Sequence, residues 1–204
     1  MPMLALALFA IYLALAFGLR ALTHRRLTGS SSFEGISGRL GSVEWFGGVL
    51  FAASLALHFT APLLDLTGVV GLVFVSGPAG WFGAALIILG AAGTLAAQGS
   101  MGASWRIGVD GSERTELVTR GPFAMVRNPI FAAMIPASLG MVLMVPNVAA
   151  AAALLSLVAA IELQVRFVEE PCLIRVHGQT YLDYASRTGR LLPGVGRLRR
   201  RAPR

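Results

Sequence analysis

The stretch PIFAAMIPASLGMVLMVPNVAAAAALLSLVAAIELQVRFVEEP, residues 129–171, decides the fold. It holds two apolar runs, 129–145 and 148–167, joined by VPNV, a connection too short for anything but a sharp reversal between antiparallel helices. The reversal has a chemical consequence. Arg127, Asn128 and Pro129 at the start of the first run and Arg166 to Glu170 at the end of the second come to the same face of a membrane, roughly forty residues apart in sequence.

Working outward, three more runs are apolar over about the 20 residues that a hydrocarbon core requires: 2–19, 43–64 and 78–100. With 55% hydrophobic residues in a chain of 204, and a mean hydropathy of +0.71, the composition fits one polytopic membrane bundle, residues 1–204, rather than a soluble domain. The small-residue motif at Ala14 to Ala16 resembles a cleavage site. The basic residues follow the first run instead of preceding it, however, so it is read as a retained span.

All 17 basic residues are arginine, against 10 acidic ones, and the formal charge is +7. Their distribution accounts for the excess without nucleic acid. Arg20, Arg25, Arg26 and Arg39 fall in the first loop, Arg106, Arg114, Arg120 and Arg127 in the third, and the others towards the C-terminus, while the second loop has Asp65 and no arginine. The positive-inside rule then predicts an N-terminus outside and a C-terminus in the cytoplasm; the location expected is the inner membrane, with the active site facing the cytoplasm. The class expected is all-α integral membrane, with five transmembrane helices and a short cytoplasmic C-terminal helical segment. The basic tail, 194–204, suits attraction to anionic lipid.

Cys172 stands alone, so no intrachain disulfide forms, and His24, His58 and His177 have no zinc-ligand spacing. Neither a GxGxxG turn nor a Walker loop is present, so a nucleotide-like cofactor requires another architecture. Gly77, Gly80, Gly83, Gly90 and Gly93 dot the third span, a pattern suited to close packing within one bundle or between two.

Two polar clusters remain. In SWRIGVDGSERTELVTRGPFAMVRNPIF, 104–131, Pro129 sits where a helix begins and Asn128 where its N-cap would be. In IELQVRFVEEPCLIRVHGQTYLDYASRTGRLLP, 161–193, Glu162, Arg166 and Glu170 follow at intervals of four and predict an ion-pair ladder on one helical face. Glu169 and Glu170 precede Pro171, expected to limit the helix, and Arg127 is a candidate partner for these adjacent carboxylates. Tyr181 and Tyr184 fall on a short amphipathic helix, with Arg187 predicted to share the face of Tyr184. Simpler readings are a snorkelling Arg127 and an aromatic belt, but neither explains the paired glutamates.

The order G-P-F-x-x-V-R-N-P-x-F, hairpin, E-E-x-x-L-x-x-x-H-G-x-x-Y-x-x-Y and a closing Pro193 resembles the isoprenylcysteine carboxyl methyltransferase and phospholipid methyltransferase family of membrane enzymes. MGASWRIGVDGSERTELVTRGPFAMVRNPIF looks like its bacterial branch, and the likeness runs over 98–193. It implies S-adenosylmethionine as cofactor, bound without a Rossmann domain between the last two spans and the C-terminal segment. Carried over by position, Gln98, Gly121, Pro122, Phe123, Val126, Asn128, Pro129, Phe131, Glu169, Glu170 and Tyr181 would line the cofactor pocket. Arg127, Arg187, Glu169 and Glu170 would be catalytic, and Trp105, Arg106 and Tyr184 would meet a lipophilic substrate arriving from the bilayer. Eukaryotic members carry R-H-P-x-Y where this chain has Arg127-Asn128-Pro129-Ile130-Phe131, so an amide that cannot titrate near neutrality replaces imidazole. A nicotinamide-dependent membrane reductase with a similar hairpin, and a non-catalytic membrane protein whose polar clusters only fix packing, stay open as alternatives.

Overall fold

The computed structural model describes residues 1–19, 21–22, 38–71, 73, 77–101 and 117–198. Most of the first loop, including Arg20, Arg25 and Arg26, therefore lies outside the described residues, as do Arg106 and Arg114 of the third and residues 199–204 of the basic tail. All regular elements among the described residues are helices, apart from one isolated parallel bridge between Val126 and Gly189.

The elements are α1 (Pro2–Leu13), continued by a wide turn Ala14–Leu19, then α2 (Val43–Leu66) and α3 (Gly77–Met101). A single turn Pro122–Met125 leads into α4 (Pro129–Met144); α5 (Val148–Leu163) passes through a second wide turn, Gln164–Glu169, into α6 (Glu170–His177), and α7 (Gln179–Arg187) follows. Among the described residues, three helices are long and apolar enough to cross a membrane: α2, α3 and the composite Val148–His177. Pro2–Gly18 and Pro129–Met144 are shorter apolar helices.

Local chemistry sets the boundaries. Ser42 Oγ accepts from the Trp45 amide at 3.2 Å and caps α2, with Glu44 in its first turn where the helix dipole favours an anion. In the hairpin turn, Asn147 Oδ1 accepts from the Ala150 amide at 3.0 Å to cap α5, while its Nδ2 donates to the Ala61 carbonyl at 2.9 Å. One buried side chain thus starts a helix and fastens the turn to α2, and the antiparallel hairpin expected from VPNV is present.

Packing then pairs α3 with α4 and α2 with α5. Small residues permit the first contact. A Cβ added at Gly83 would come within 2.5 Å of the Gly140 carbonyl oxygen, and one at Gly90 within 2.7 Å of that of Ala133. Gly83, Gly90 and Gly93 of α3 are therefore used inside this bundle. The contacts also fix the helices as antiparallel, because Gly83 meets Gly140 while Gly93 meets Ala133. The C-terminal end of α3, with Gln98, accordingly stands level with the start of α4.

Two expectations fail in the final span, for one reason. Pro171 does not limit the helix, which runs on to His177 with Pro171 in the first turn of α6, where a missing amide hydrogen costs little. The ladder Glu162–Arg166–Glu170 also does not form: Glu162 pairs with an exposed Arg166, but Glu170 is buried and turned elsewhere. Residues in an i→i+5 turn advance less than the roughly 100° per residue of an α-helix, so Glu170 leaves the stripe occupied by Glu162 and Arg166.

Candidate functional site

After α7 the chain turns back as a strap. The Arg127 amide donates to the Gly189 carbonyl at 2.8 Å, the Asn128 amide to that of Arg190 at 3.1 Å, and the Leu198 amide to that of Ala185 at 3.0 Å. The strap is thereby hydrogen-bonded along the entry to α4, across the residues singled out from the sequence.

Arg127 is the hub. Its guanidinium is buried, with Nη1 donating to the carbonyls of Ala185 (3.1 Å) and Thr188 (2.5 Å), and Nη2 to Glu170 Oε1 (2.5 Å) and the Gly196 carbonyl (3.0 Å). The pairing of Arg127 with a glutamate at the end of the last span is thus present. Glu170 is gripped again by Arg190, whose Nε and Nη2 reach Oε1 and Oε2, each at 2.9 Å. Such two-point contacts are the strong form of an ion pair. Two guanidiniums thus meet one carboxylate inside this triad, in a largely water-excluded place, while the Glu169 carboxylate acts on Glu170 and that of Glu162 on Arg190.

Two phenols back this cluster. Tyr181 is buried, and burial together with the nearby Glu170 charge raises its phenol well above the ordinary range. Tyr184 donates to the Phe123 carbonyl at 2.6 Å, and burial pushes its phenol up to about 12 against the opposing pull of Arg127. Both remain neutral at physiological pH. The hydrogen bond to Glu170 moves Arg190 upward, so its charge is fixed.

The other singled-out residues sort by position. Gly121, at φ 62°, stands beside Ser100 at the end of α3; a Cβ there would lie 3.1 Å from Ser100 Oγ. Pro122 opens the next turn, Phe123 and Val126 are buried, and Pro129 begins α4 as expected. Phe131 packs against the main apolar core, as do Ile130 and Leu191. Gln98 Nε2 donates to the Ala16 carbonyl at 2.8 Å, inside the wide turn after α1, and its buried Oε1 has no partner among the described residues. Glu169, half-buried, takes a hydrogen bond from Gln164. Trp105 and Arg106 lie outside the described residues.

Two local expectations are corrected. Asn128 occupies the cap position of α4, but its side chain does not cap; Nδ2 donates to the Arg190 carbonyl at 3.3 Å, which turns the amide towards the strap. Arg187 does not share the surroundings of Tyr184: it is exposed and its Nε donates back to the Asp183 carbonyl, since only the buried face of α7 meets the bundle. Sequence reasoning missed Arg190. Nothing in TGRLLP marks it, because its role depends on the return of the strap.

The family model for phospholipid methyltransferases matches residues 78–180, just over half of the chain. The chain belongs to the phospholipid methyltransferase family. No curated protein and no solved structure matches it. The matched region of this phospholipid methyltransferase relative contains α3, the hairpin, Arg127 and Glu170, and stops before Tyr181 and the strap. The part of the site that closes over Arg127 therefore lies beyond the family match.

Proposed function

We propose that this member of the family is an integral membrane methyltransferase that uses S-adenosylmethionine and modifies a lipophilic, isoprenoid or lipid acceptor, with a carboxylate favoured over an amine. The observation that carries the preference is the partly exposed Arg190 guanidinium, a cationic point on the rim beside the buried Arg127–Glu170 pair. An anionic acceptor is drawn to such a rim; a protonated amine is repelled by it.

When bound, S-adenosylmethionine supplies an electrophilic methyl group on a sulfonium sulfur. A carboxylate acceptor is already ionised at neutral pH, so the chain has to orient it and exclude water rather than remove a proton. Arg127, with both terminal nitrogens engaged, acts as a positioning residue that holds Glu170 and the strap in place. Arg190 provides the partly exposed positive edge. Exposed Arg187 would meet an acceptor only at the outer rim.

Gln98, Gly121, Pro122, Phe123, Val126, Asn128, Pro129, Phe131, Glu169, Glu170 and Tyr181 are assigned to the cofactor side. In support, Gln98 Oε1 is a buried acceptor lacking a donor among the described residues, suited to an amino or hydroxyl group. Glu169 adds a carboxylate at the same rim. Tyr184 belongs to the acceptor side, with Trp105 and Arg106 retained there on the resemblance alone.

The same reading has five crossings, the two shorter apolar helices included, with the strap end in the cytoplasm and the hairpin turn outside. Arg120, Arg127, Arg175, Arg187, Arg190 and Arg197 all lie in the segments flanking the strap end, which supports that orientation in an inner membrane.

Calorimetry of the purified protein in detergent tests the proposal. Saturable binding of S-adenosylmethionine and S-adenosylhomocysteine is expected, with labelled methyl groups transferred into a lipid extract and transfer lost in Glu169→Ala at retained fold. Folded protein that binds neither compound would overturn it, and binding of a reduced nicotinamide instead would favour a reductase.

A further inference from the structure

The strap has two faces of opposite character. Leu191 packs inward against the apolar core, while its neighbour Leu192 is 62% exposed and Val195 59%. Between them, LPGVG at 192–196 forms a small apolar knuckle, held in shape by Gly194 at φ 78° and Gly196 at φ 74° and closed by the Val195 amide donating to the Leu192 carbonyl at 3.1 Å. Arg190 precedes the knuckle and exposed Arg197 follows it.

Height in the bundle decides what such a surface meets. Glu170, to which Arg190 anchors the strap, is 22 residues beyond Val148, the first residue of α5 after the hairpin turn. At 1.5 Å per residue that distance is roughly 33 Å, close to the thickness of a hydrocarbon core. The strap is also bonded to Arg127 and Asn128, immediately before the apolar helix α4. An apolar knuckle at that level continues the lipid-facing surface of the bundle, and its flanking arginines match the phosphate layer of an anionic leaflet.

The geometry points to the strap as a bilayer-contacting surface: Leu192 and Val195 insert at the headgroup boundary of the leaflet beside the Arg127–Glu170–Arg190 cluster, with Arg197 at the phosphates. The occupant is lipid, and the contact does not depend on which methyl acceptor the protein takes.

Spin labels test this directly, because Cys172 is the sole cysteine and Cys172→Ser clears the background. Labels would be placed through Leu192→Cys, Val195→Cys and, as an exposed reference on α7, Thr180→Cys, in vesicles of phosphatidylethanolamine and phosphatidylglycerol. Collision with oxygen should exceed collision with a nickel chelate at residues 192 and 195, and the order should reverse at residue 180. Nickel access at 192 and 195 equal to that at 180 would place the knuckle in water. Shielding from both reagents would place it against protein, a second copy included. Either result overturns the proposal, and neither bears on methyl-donor binding, so its failure is distinguishable from that of the proposed function.

Discussion

Both ends of the bundle bury polar side chains, and they do so differently. In the hairpin-turn half, His58 Nδ1 faces the Ser54 carbonyl at 2.8 Å, which requires a proton on that nitrogen, and in the neutral ring Nε2 accepts from the Ser138 hydroxyl at 2.8 Å. Ser54 Oγ in turn donates to the Ala153 carbonyl at 2.8 Å, and Asn147 bridges Ala61 and Ala150. Every member of this group is neutral and satisfied, and together they join α2, α4 and α5. At the strap end the cluster is charged, and the two buried side-chain atoms left without partners among the described residues, Gln98 Oε1 and Arg127 Nε, are both there. A satisfied neutral network specifies packing, whereas a spare donor and a spare acceptor in a closed place suit a ligand.

The largest effect expected from this contrast is at Arg127. Arg127→Ala removes four hydrogen bonds and one partner of a buried carboxylate, and breaking a buried pair in this way costs about 3–5 kcal/mol. Thermal unfolding in detergent should show that loss, with early proteolytic release of the strap. Lysine should restore little, since a single ammonium cannot serve two carbonyls on one side and Glu170 on the other. An unfolding midpoint like that of the wild type would mean that the cluster does not hold the strap.

The opposite end gives a smaller, purely structural effect. Ser138→Ala leaves the His58 ring with an unpaired buried nitrogen, costing about 1–3 kcal/mol. The variant should be less stable yet bind S-adenosylmethionine with wild-type affinity when assayed below its unfolding transition. A weakened affinity there would dissolve the distinction between the two ends.

These ends also differ in how much the sequence discloses. The hairpin, and with it the meeting of Arg127 with Glu170, follows from VPNV, because a turn of that length leaves the chain one direction to take. The use of Gly83 and Gly90 against α4 was legible as close packing but not as packing with this particular helix. The wide turn at Gln164–Glu169 was not legible: an i→i+5 register has no fixed residue signature, and Pro171 by itself argues for a helix end. Arg190 stayed hidden for a tertiary reason. Its two-point hold on Glu170 exists only because the strap runs back over Val126 to Asn128, a path set by backbone hydrogen bonds that any residue can make.

The smallest effect on stability, and the sharpest test of the contrast, belongs to Gln98. Gln98→Leu removes the bond from Nε2 to the Ala16 carbonyl but also abolishes a buried acceptor that lacks a donor, so the two changes oppose one another and the net shift should stay within about 1 kcal/mol. If Oε1 is kept for a bound methyl donor, the same substitution should weaken S-adenosylmethionine binding about tenfold or more, the equivalent of about 1.4 kcal/mol. Stability and affinity would then separate at Gln98 in the opposite sense to Ser138. Calorimetry and unfolding on both variants measure the two quantities in the same protein. If Gln98→Leu instead lowers stability by several kcal/mol at unchanged affinity, Gln98 is a packing residue like His58 and the cofactor side of the site loses its deepest member.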